Sequence, residues 1–406
     1  MIMLSVFSAM MVSCEKKNDN VPGDPVQIEL TLKQKEVVSS TNQFAFDLFK
    51  PLIGETKGTG NIMISPFSVS SALSMTMNGA AGETFNAMRS GLRYGDITLD
   101  EINETYQKLM QDMVPVDPRV IMEIANSVWV EKNLAVKADF INALKTWYLA
   151  EGKSFDVTDP KTVDIVNGWI ADKTHDKIQK MLTELDPDIA MLLINAVYFK
   201  GKWRSQFDKS NTSTKPFYVT PDSPVQVPMM NQEEHLAVTR TGNSTLVELP
   251  YGQGNYSMVV MLPDEGVSTA DAAALITNEN WDTWMTNLKS GAVNVDISLP
   301  RFKYEYKRTL NDDLKNLGMT IAFDPSQADF SKMSDQAMFI SFVMHQTFIE
   351  TNEEGTEAAA ATIVGMELTS APSEPMEINI NRPFLYFIRE TTTGTIVFMG
   401  QVYNPS

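Results

Sequence analysis

Cysteine is almost absent. Cys14 is the only one in the 406-residue sequence, so no disulfide can form within one molecule and stability must come from packing. Histidine is scarce as well: His175, His235 and His345 are the only three, and His175 and His235 have no paired ligand spacing, so neither a metal site nor a cofactor is expected. Positive charge is in deficit, with 33 Lys and Arg against 51 Asp and Glu and a net charge of −18. That balance argues against nucleic acid as a partner, because its recognition needs clustered cations facing phosphate. No run of about 18 apolar residues occurs, so no spanning helix is expected. There is no Gly-x-Ser-x-Gly elbow to present a nucleophile, and no enzymatic activity is expected. Fixed-period repeats and interior linkers are missing too, which leaves one large mixed domain as the simplest organisation.

What is present begins with a short apolar leader, Met1 to Ser13, that runs through Met11-Val12-Ser13 into Cys14 and then the polar stretch Glu15-Lys16-Lys17-Asn18-Asp19-Asn20. The segment resembles the lipobox of bacterial lipoprotein signals, although no Lys or Arg precedes the apolar part. The resemblance implies a signal peptide over 1–13, lipidation of Cys14, and a flexible tether through about residue 36 or 38. It also implies export and display on a bacterial membrane through the lipid, at the cell surface or after release.

Along the rest of the chain, Thr41-Asn42 is a candidate cap for a helix carrying Phe44, Phe46, Leu48 and Phe49. Asn61–Ile64 reads as a short strand before a small-residue helix to Asn78, and another helix starts at Glu83. Residues 120–131 and 190–199 read as buried strands, and 137–150 and 162–182 as helices. Beyond Gly201, strand patterns follow at 214–219, 225–230, 245–250, 256–262 and 292–299, bounded by Gly, Pro, Asn or Asp. Helical patterns cover 270–289 and 307–318, and strands at 338–350, 384–389 and 395–402 close the chain. Helices lead and strands follow, so the fold class is α+β.

The most informative stretch is 350–364, Glu-Thr-Asn-Glu-Glu-Gly-Thr-Glu-Ala-Ala-Ala-Ala-Thr-Ile-Val. It is acidic, then pivots on Gly355, then small, then β-branched, and no proline appears from Gly355 until Pro372. Alanine's helix propensity allows an acidic surface helix. The same residues can also form a strand. Four blocks decide the matter: Asn61–Leu73, with Ser65-Pro66-Phe67-Ser68; Ile194-Asn195-Ala196-Val197-Tyr198-Phe199-Lys200-Gly201-Lys202-Trp203; Glu353-Glu354-Gly355-Thr356-Glu357-Ala358-Ala359-Ala360; and Asn381-Arg382-Pro383-Phe384. Together and in this order they resemble the serpins, over roughly residues 39–406. The resemblance implies three sheets, eight or nine helices and an exposed reactive loop over 353–382. It also implies inhibition of a target protease, which cuts the loop, is held as an acyl-enzyme in a covalent 1:1 complex, and is distorted as the freed arm enters the main sheet. Monomer is the family's usual state. A non-inhibitory serpin acting as a binding or scaffold protein is the alternative.

The loop's residues permit such insertion. In the family's register Thr356, Ala358, Ala360 and Thr362 face the interior, all small and uncharged, while Glu357, Ala359, Ala361 and Ile363 face out. Glu353 and Gly355 complete the hinge. An arm of about 14 residues reaches about 46 Å as a strand, and its hydrogen bonds would release on the order of 10 kcal/mol. Counting forward from Gly355 by the spacing of inhibitory relatives puts the cut at Thr369–Ser370, whereas counting back from Pro383 by the family's usual spacing lands near Pro372. Leu368–Thr369 is the neighbouring alternative and Met366–Glu367 a third. Thr369 or Leu368 suits elastase-like or chymotrypsin-like serine proteases. No Lys or Arg lies between Gly355 and Asn381, which disfavours trypsin-like targets. Leu368 upstream of the cut also suits papain-like cysteine proteases. The resemblance further assigns Ser65, Ser68, Asn195 and His345 to a polar shutter beneath the opening sheet, and Trp203, with the pair Glu353–Arg301, to the top of that sheet. A hydrolase triad built from the same serines and His345 lacks its elbow, so His345 is expected as a satisfied core histidine.

Overall fold

The computed structural model describes residues 23–56, 59–187, 189–356 and 374–406. In chain order its elements are α1 (Leu32–Glu55), β1 (Ile62–Ile64), α2 (Pro66–Met77), α3 (Gly82–Gly91), α4 (Leu99–Met113), β2 (Val120–Glu131), α5 (Ala138–Tyr148), β3 (Glu151–Phe155), α6 (Thr162–Lys173) and β4 (Met191–Lys202). There follow β5 (Ser213–Thr220), β6 (Ser223–Arg240), β7 (Ser244–Tyr251), β8 (Tyr256–Pro263), α7 (Thr269–Ala274), α8 (Asn278–Leu288), β9 (Ala292–Pro300), β10 (Phe302–Thr309) and α9 (Asn311–Leu314). The last are β11 (Met344–Asn352), β12 (Gly355–Thr356), β13 (Met376–Asn379), β14 (Phe384–Glu390) and β15 (Ile396–Val402).

The strands form a six-stranded sheet ordered β10-β11-β12-β4-β2-β3 and a longer path, β1-β15-β14-β8-β7-β6-β9-β13, with β5 joined to β6. The three sheets implied by the sequence are present in this form because β6 is long enough to serve two of them. Its first part pairs with β5 and β9, and its end, Ala237–Arg240, pairs with β7. Strand β8 is buried at every residue and its register is set by β7 and β14, so apart from Ser257 it is a near-continuous apolar run rather than an alternating one. α2 lies between the two sheets, in contact with β4 and β15. It starts where Ser65 accepts a hydrogen bond from Ser68 N and Pro66 supplies the fixed φ of a first turn. Its small residues have a purpose: Ser70 and Ser74 are fully buried and join Tyr106 and Tyr94 in a chain of hydroxyl bonds.

Several expected boundaries are corrected. Thr41 and Asn42 do not cap a helix but lie buried inside α1, which starts at Leu32 behind a capping box between Thr31 and Gln34. The expected tether is therefore too long, since residues 32–38 are helical and Ile28, Leu30, Val37 and Val38 are buried. Just before them, Val26 exchanges two hydrogen bonds with the fully buried Asn255 side chain, and Ile28 N donates to Thr392 Oγ1. The helix expected to 182 stops at Lys173, where His175 and Asp176 take positive φ. The one expected over 270–289 is two, separated by a fresh N-cap at Thr277. The helical pattern expected from 307 is strand β10 as far as Thr309, in full register with β11. The strand expected from 338 begins at Met344, and α4, β3 and β13 were not anticipated.

Asn255→Ala removes both bonds to Val26. In hydrogen exchange, the amides of Val26 and Ile28 are expected to be protected in the parent protein and to exchange with loop-like rates in the variant, with β8 and β14 still protected; equal rates at Val26 in both proteins would contradict the packing of this segment.

Candidate functional site

The site is built where the chain leaves β11. Asn352 ends that strand, Glu353 and Glu354 make a tight turn, and Gly355-Thr356 return as the two-residue strand β12, between β11 on one side and β4 on the other. Gly355 has φ 146°, a conformation that favours glycine, and a Cβ there would lie 2.0 Å from the Gly201 carbonyl oxygen. No other residue fits at this pivot. Among the described residues, no ladder joins β4 to β11 below β12, so these two strands face each other across a slot.

The hinge is braced from three sides. Arg301, just ahead of β10, donates from Nε and Nη2 to Glu353 at 2.5–2.9 Å, and Thr212 Oγ1 adds a third donor at 2.5 Å. Burial alone would raise the Glu353 carboxyl, but these donors outweigh it and hold it below the usual carboxylate range. Lys209 reaches Glu354 at 2.6 Å, and the amides of Trp203 and Phe207 bond the carbonyls of Glu354 and Glu353. Beneath β12, Trp203 stacks on Tyr251 with ring centroids 4.4 Å apart and donates its indole N–H to Asn352 O. The Tyr251 hydroxyl lies 2.6 Å from Thr356 Oγ1, and Thr351 Oγ1 is 3.3 Å from the same atom. Thr356 thus points inward, as its expected register required, into a preformed hydroxyl socket.

Lower in the slot, His345 Nε2 accepts the amide hydrogen of Ser65, and Ser65 Oγ donates to Val397 O while accepting from Ser68 N. Ser65, Ser68 and His345 are therefore one unit. Asn195 is not bonded to it: its Nδ2 donates to Asn126 Oδ1, Asn126 donates to Tyr148 O, and Asn195 Oδ1 has no partner among the described residues. Complete burial disfavours the charged imidazole and lowers His345 to about 4. A neutral, hydrogen-bonded imidazole with Ser65 acting through its backbone amide is no catalytic base. Among the described residues no group of three His, Cys, Asp or Glu could hold a metal.

The sequence placed Glu353, Gly355, Thr356, Trp203 and Arg301 at one location, and the structure brings them together. Ala358, Ala360, Thr362, Met366, Glu367, Leu368, Thr369 and Ser370, together with Cys14, lie outside the described residues. Tyr251, Thr212 and Lys209 were missed. They sit far from the hinge in sequence, and Tyr251 carried no signal beyond a buried aromatic at the end of a strand.

The site is thus a sheet in which a glycine pivot seats the first two residues of a returning strand between two others, an arrangement chemically open to strand addition. Comparison with known proteins agrees. The family model for serpin, serine protease inhibitor, matches residues 39–405. Leukocyte elastase inhibitor of Homo sapiens is 34% identical over 382 residues, covering 91% of this chain and all of that protein. Iripin-2 of Ixodes ricinus is 33% identical over 378 residues, 91% of this chain and 94% of the relative. Among solved structures, the thermophilic serpin tengpin in its native state superposes with TM-score 0.82 at 33% identity, over 95% of this chain and 98% of that one. Human kallistatin gives 0.84 at 27% identity, over 92% and 99%. The chain belongs to the serpin family, and is a protease inhibitor rather than an enzyme.

Two consequences are measurable. Tyr251→Phe leaves Thr356 Oγ1 with only the longer Thr351 contact. It is expected to cost about 1 kcal/mol and to speed amide exchange at Thr356 while Thr351 stays protected, and unchanged exchange at Thr356 would show that the socket does not hold the hinge. For His345, the unfolded chain titrates near 6.5 and the folded one near 4, so between those values only the unfolded chain takes up the proton. Stability is then fully present above pH 6.5 and falls as pH drops toward 4, by about 1.4 kcal/mol per unit and about 3 kcal/mol in all. Denaturant midpoints should show this slope in the parent protein and a flatter one in His345→Gln.

Proposed function

We propose that the protein is an irreversible, suicide-substrate inhibitor of endopeptidases, chiefly serine proteases of elastase-like or chymotrypsin-like specificity. The observation that carries this is the seating of Gly355 and Thr356 between β11 and β4. This supports reading that pair as the first step of arm insertion, since continuing the register of Thr356 would send alternate small side chains inward.

In this reading the reactive loop is 353–382, and the cut falls at Thr369–Ser370, with Leu368–Thr369 and Met366–Glu367 as neighbours. The protease attacks the peptide carbonyl and is retained as an acyl-enzyme, one protease per inhibitor. The freed residues from Glu357 onward then extend β12 down the slot, and each gains bonds to both flanking strands. The target class rests on the absence of Lys and Arg between Gly355 and Asn381 and on the likeness to leukocyte elastase inhibitor. Leu368, one place upstream of the cut, extends the proposal to papain-like cysteine proteases. The remaining assignments rest on sequence: a signal peptide over 1–13, lipidation at Cys14, export to a bacterial membrane surface, an inhibitor domain reached through a tether, and a monomeric state.

Incubation with an elastase-like serine protease followed by denaturing electrophoresis is the test. A band at the summed mass, with residual inhibitor cleaved in the loop, is expected. Two fragments and no such band would overturn the proposal in favour of a non-inhibitory binding serpin. Thr356→Arg places a long cation in the socket formed by Tyr251 and Thr351 and should turn the inhibitor into a substrate, with the covalent band lost and cleavage retained.

A further inference from the structure

The slot below His345 widens into a cavity of about 200 Å³ between β4 and β11. Its wall is chiefly apolar and is unusually rich in one residue type: Met181, Met191, Met333, Met338 and Met344 all line it, five of the chain's 25 methionines. Met191 starts β4 and Met344 starts β11, so the two strands that must part each bring a thioether to the gap. Met333 is buried, and the other four are half-buried and accessible to small solutes. Unbranched thioethers suit a wall that must repack when a strand enters. The same side chains are open to two-electron oxidation.

We propose that these methionines form a peroxide-sensitive modification site that decides whether the sheet can admit the arm; the regulatory part rests on the inhibitory reading above. In the chemical step the sulfur lone pair attacks a peroxide oxygen, the O–O bond breaks, a sulfoxide forms, and water or an alcohol leaves. The thioether is oxidised and the peroxide reduced. A sulfoxide is a strong acceptor that needs a donor when buried. The partnerless side-chain oxygens on this wall, Asn195 Oδ1 and Gln346 Oε1, are acceptors themselves, and the inward-facing residues that would follow Thr356 offer one hydroxyl, that of Thr362, for up to five sulfoxides. Solvent can satisfy the new oxygen only while the slot stays open, so the modified wall resists closure over an inserting strand. Slower insertion lets the acyl-enzyme hydrolyse first, and inhibitor becomes substrate.

The test treats the full chain with millimolar hydrogen peroxide, maps sulfoxides by peptide mass spectrometry, and measures how many inhibitor molecules are consumed per protease trapped. Oxidation at Met191, Met338 and Met344 should raise that ratio at least about fivefold. A variant with leucine at all five positions should keep the parent ratio after peroxide, and Met191→Leu with Met344→Leu serves if the fivefold variant does not fold. Met366 in the loop is retained in both and replaced alone in a third protein, M366L. The proposal is overturned if the cavity methionines stay unmodified when the exposed Met376 is fully oxidised, or if M366L alone confers resistance. If the untreated protein traps no protease, the inhibitory reading is what has failed; the modification site is still decided by the map, and its hold on the slot by a lower melting temperature in the oxidised parent than in the leucine variants.

Discussion

Everything in this molecule depends on a pair of strands that do not bond to each other. Within the described residues β4 and β11 are neighbours in the same sheet, yet only Gly355 and Thr356 lie between them. Backbone donors and acceptors that line such a gap are chemically complete only when another strand arrives, because buried peptide groups left without partners are costly. On the proposed function the same chain would supply that strand, of which Gly355 and Thr356 are the two residues paired here. A peptide added here finds ladders on both sides at once, whereas an edge of a sheet offers one. The energy difference between empty and filled slot, on the order of 10 kcal/mol for a full-length arm, would on the proposed mechanism be as large as the stability of a typical domain.

The residues around the hinge divide this task by chemistry. Glu353 and Glu354 are buried side chains held by cations that are themselves partly exposed, Arg301 and Lys209. Breaking either pair from the cation side would leave a buried carboxylate uncompensated, which costs more than the pair itself is worth. The turn is thereby fixed in place without being locked to the slot. Below it, contacts are neutral: the Tyr251 and Thr351 hydroxyls, the Trp203 ring and, further down, the neutral imidazole of His345. A strand can slide past such groups and exchange one hydrogen bond for another. Charges in the same position would have to be stripped of their partners first.

How much of this was legible in the sequence follows the same division. Motifs that are contiguous survived translation to three dimensions: Glu353-Glu354-Gly355-Thr356 at the pivot, Ser65-Pro66-Phe67-Ser68 at a helix start, and the apolar run that became β4. Failures came where the deciding partner is distant. The polar Leu32-Lys33-Gln34-Lys35-Glu36 stretch reads as tether until Val37 and Val38 are seen to be buried and Thr31 to close a capping box. Strand β10 alternates plainly, Phe302, Tyr304 and Tyr306 on one face, but its charged outer residues favour helix equally well until β11 pairs with them. Asn195 was grouped with the serines of the shutter by resemblance, and the structure turns it toward Asn126 instead. Tyr251 had no local pattern at all, because a hydroxyl socket exists only once β7 ends beneath the hinge.

How far an uncut arm could enter the slot, on the proposed mechanism, is a question of anchors. Thr356 is held at one end, and at the other β13 runs parallel to β9, with Met376 opposite Val295 and Asn379 opposite Ser298, on a different sheet from β4. Each residue added to β12 draws about 3.3 Å of chain into the slot, and residues 357–375 must still span the remaining distance to β13. Deep insertion would therefore have to unzip β13 from β9 and give up its four paired positions, while shallow insertion gains only a few new bonds. On the proposed mechanism, such a balance would favour a stop near the hinge while the chain is uncut. In the proposed mechanism, severing the backbone would remove the opposing anchor without touching any contact in the slot, so that deep insertion would become accessible only after the cut.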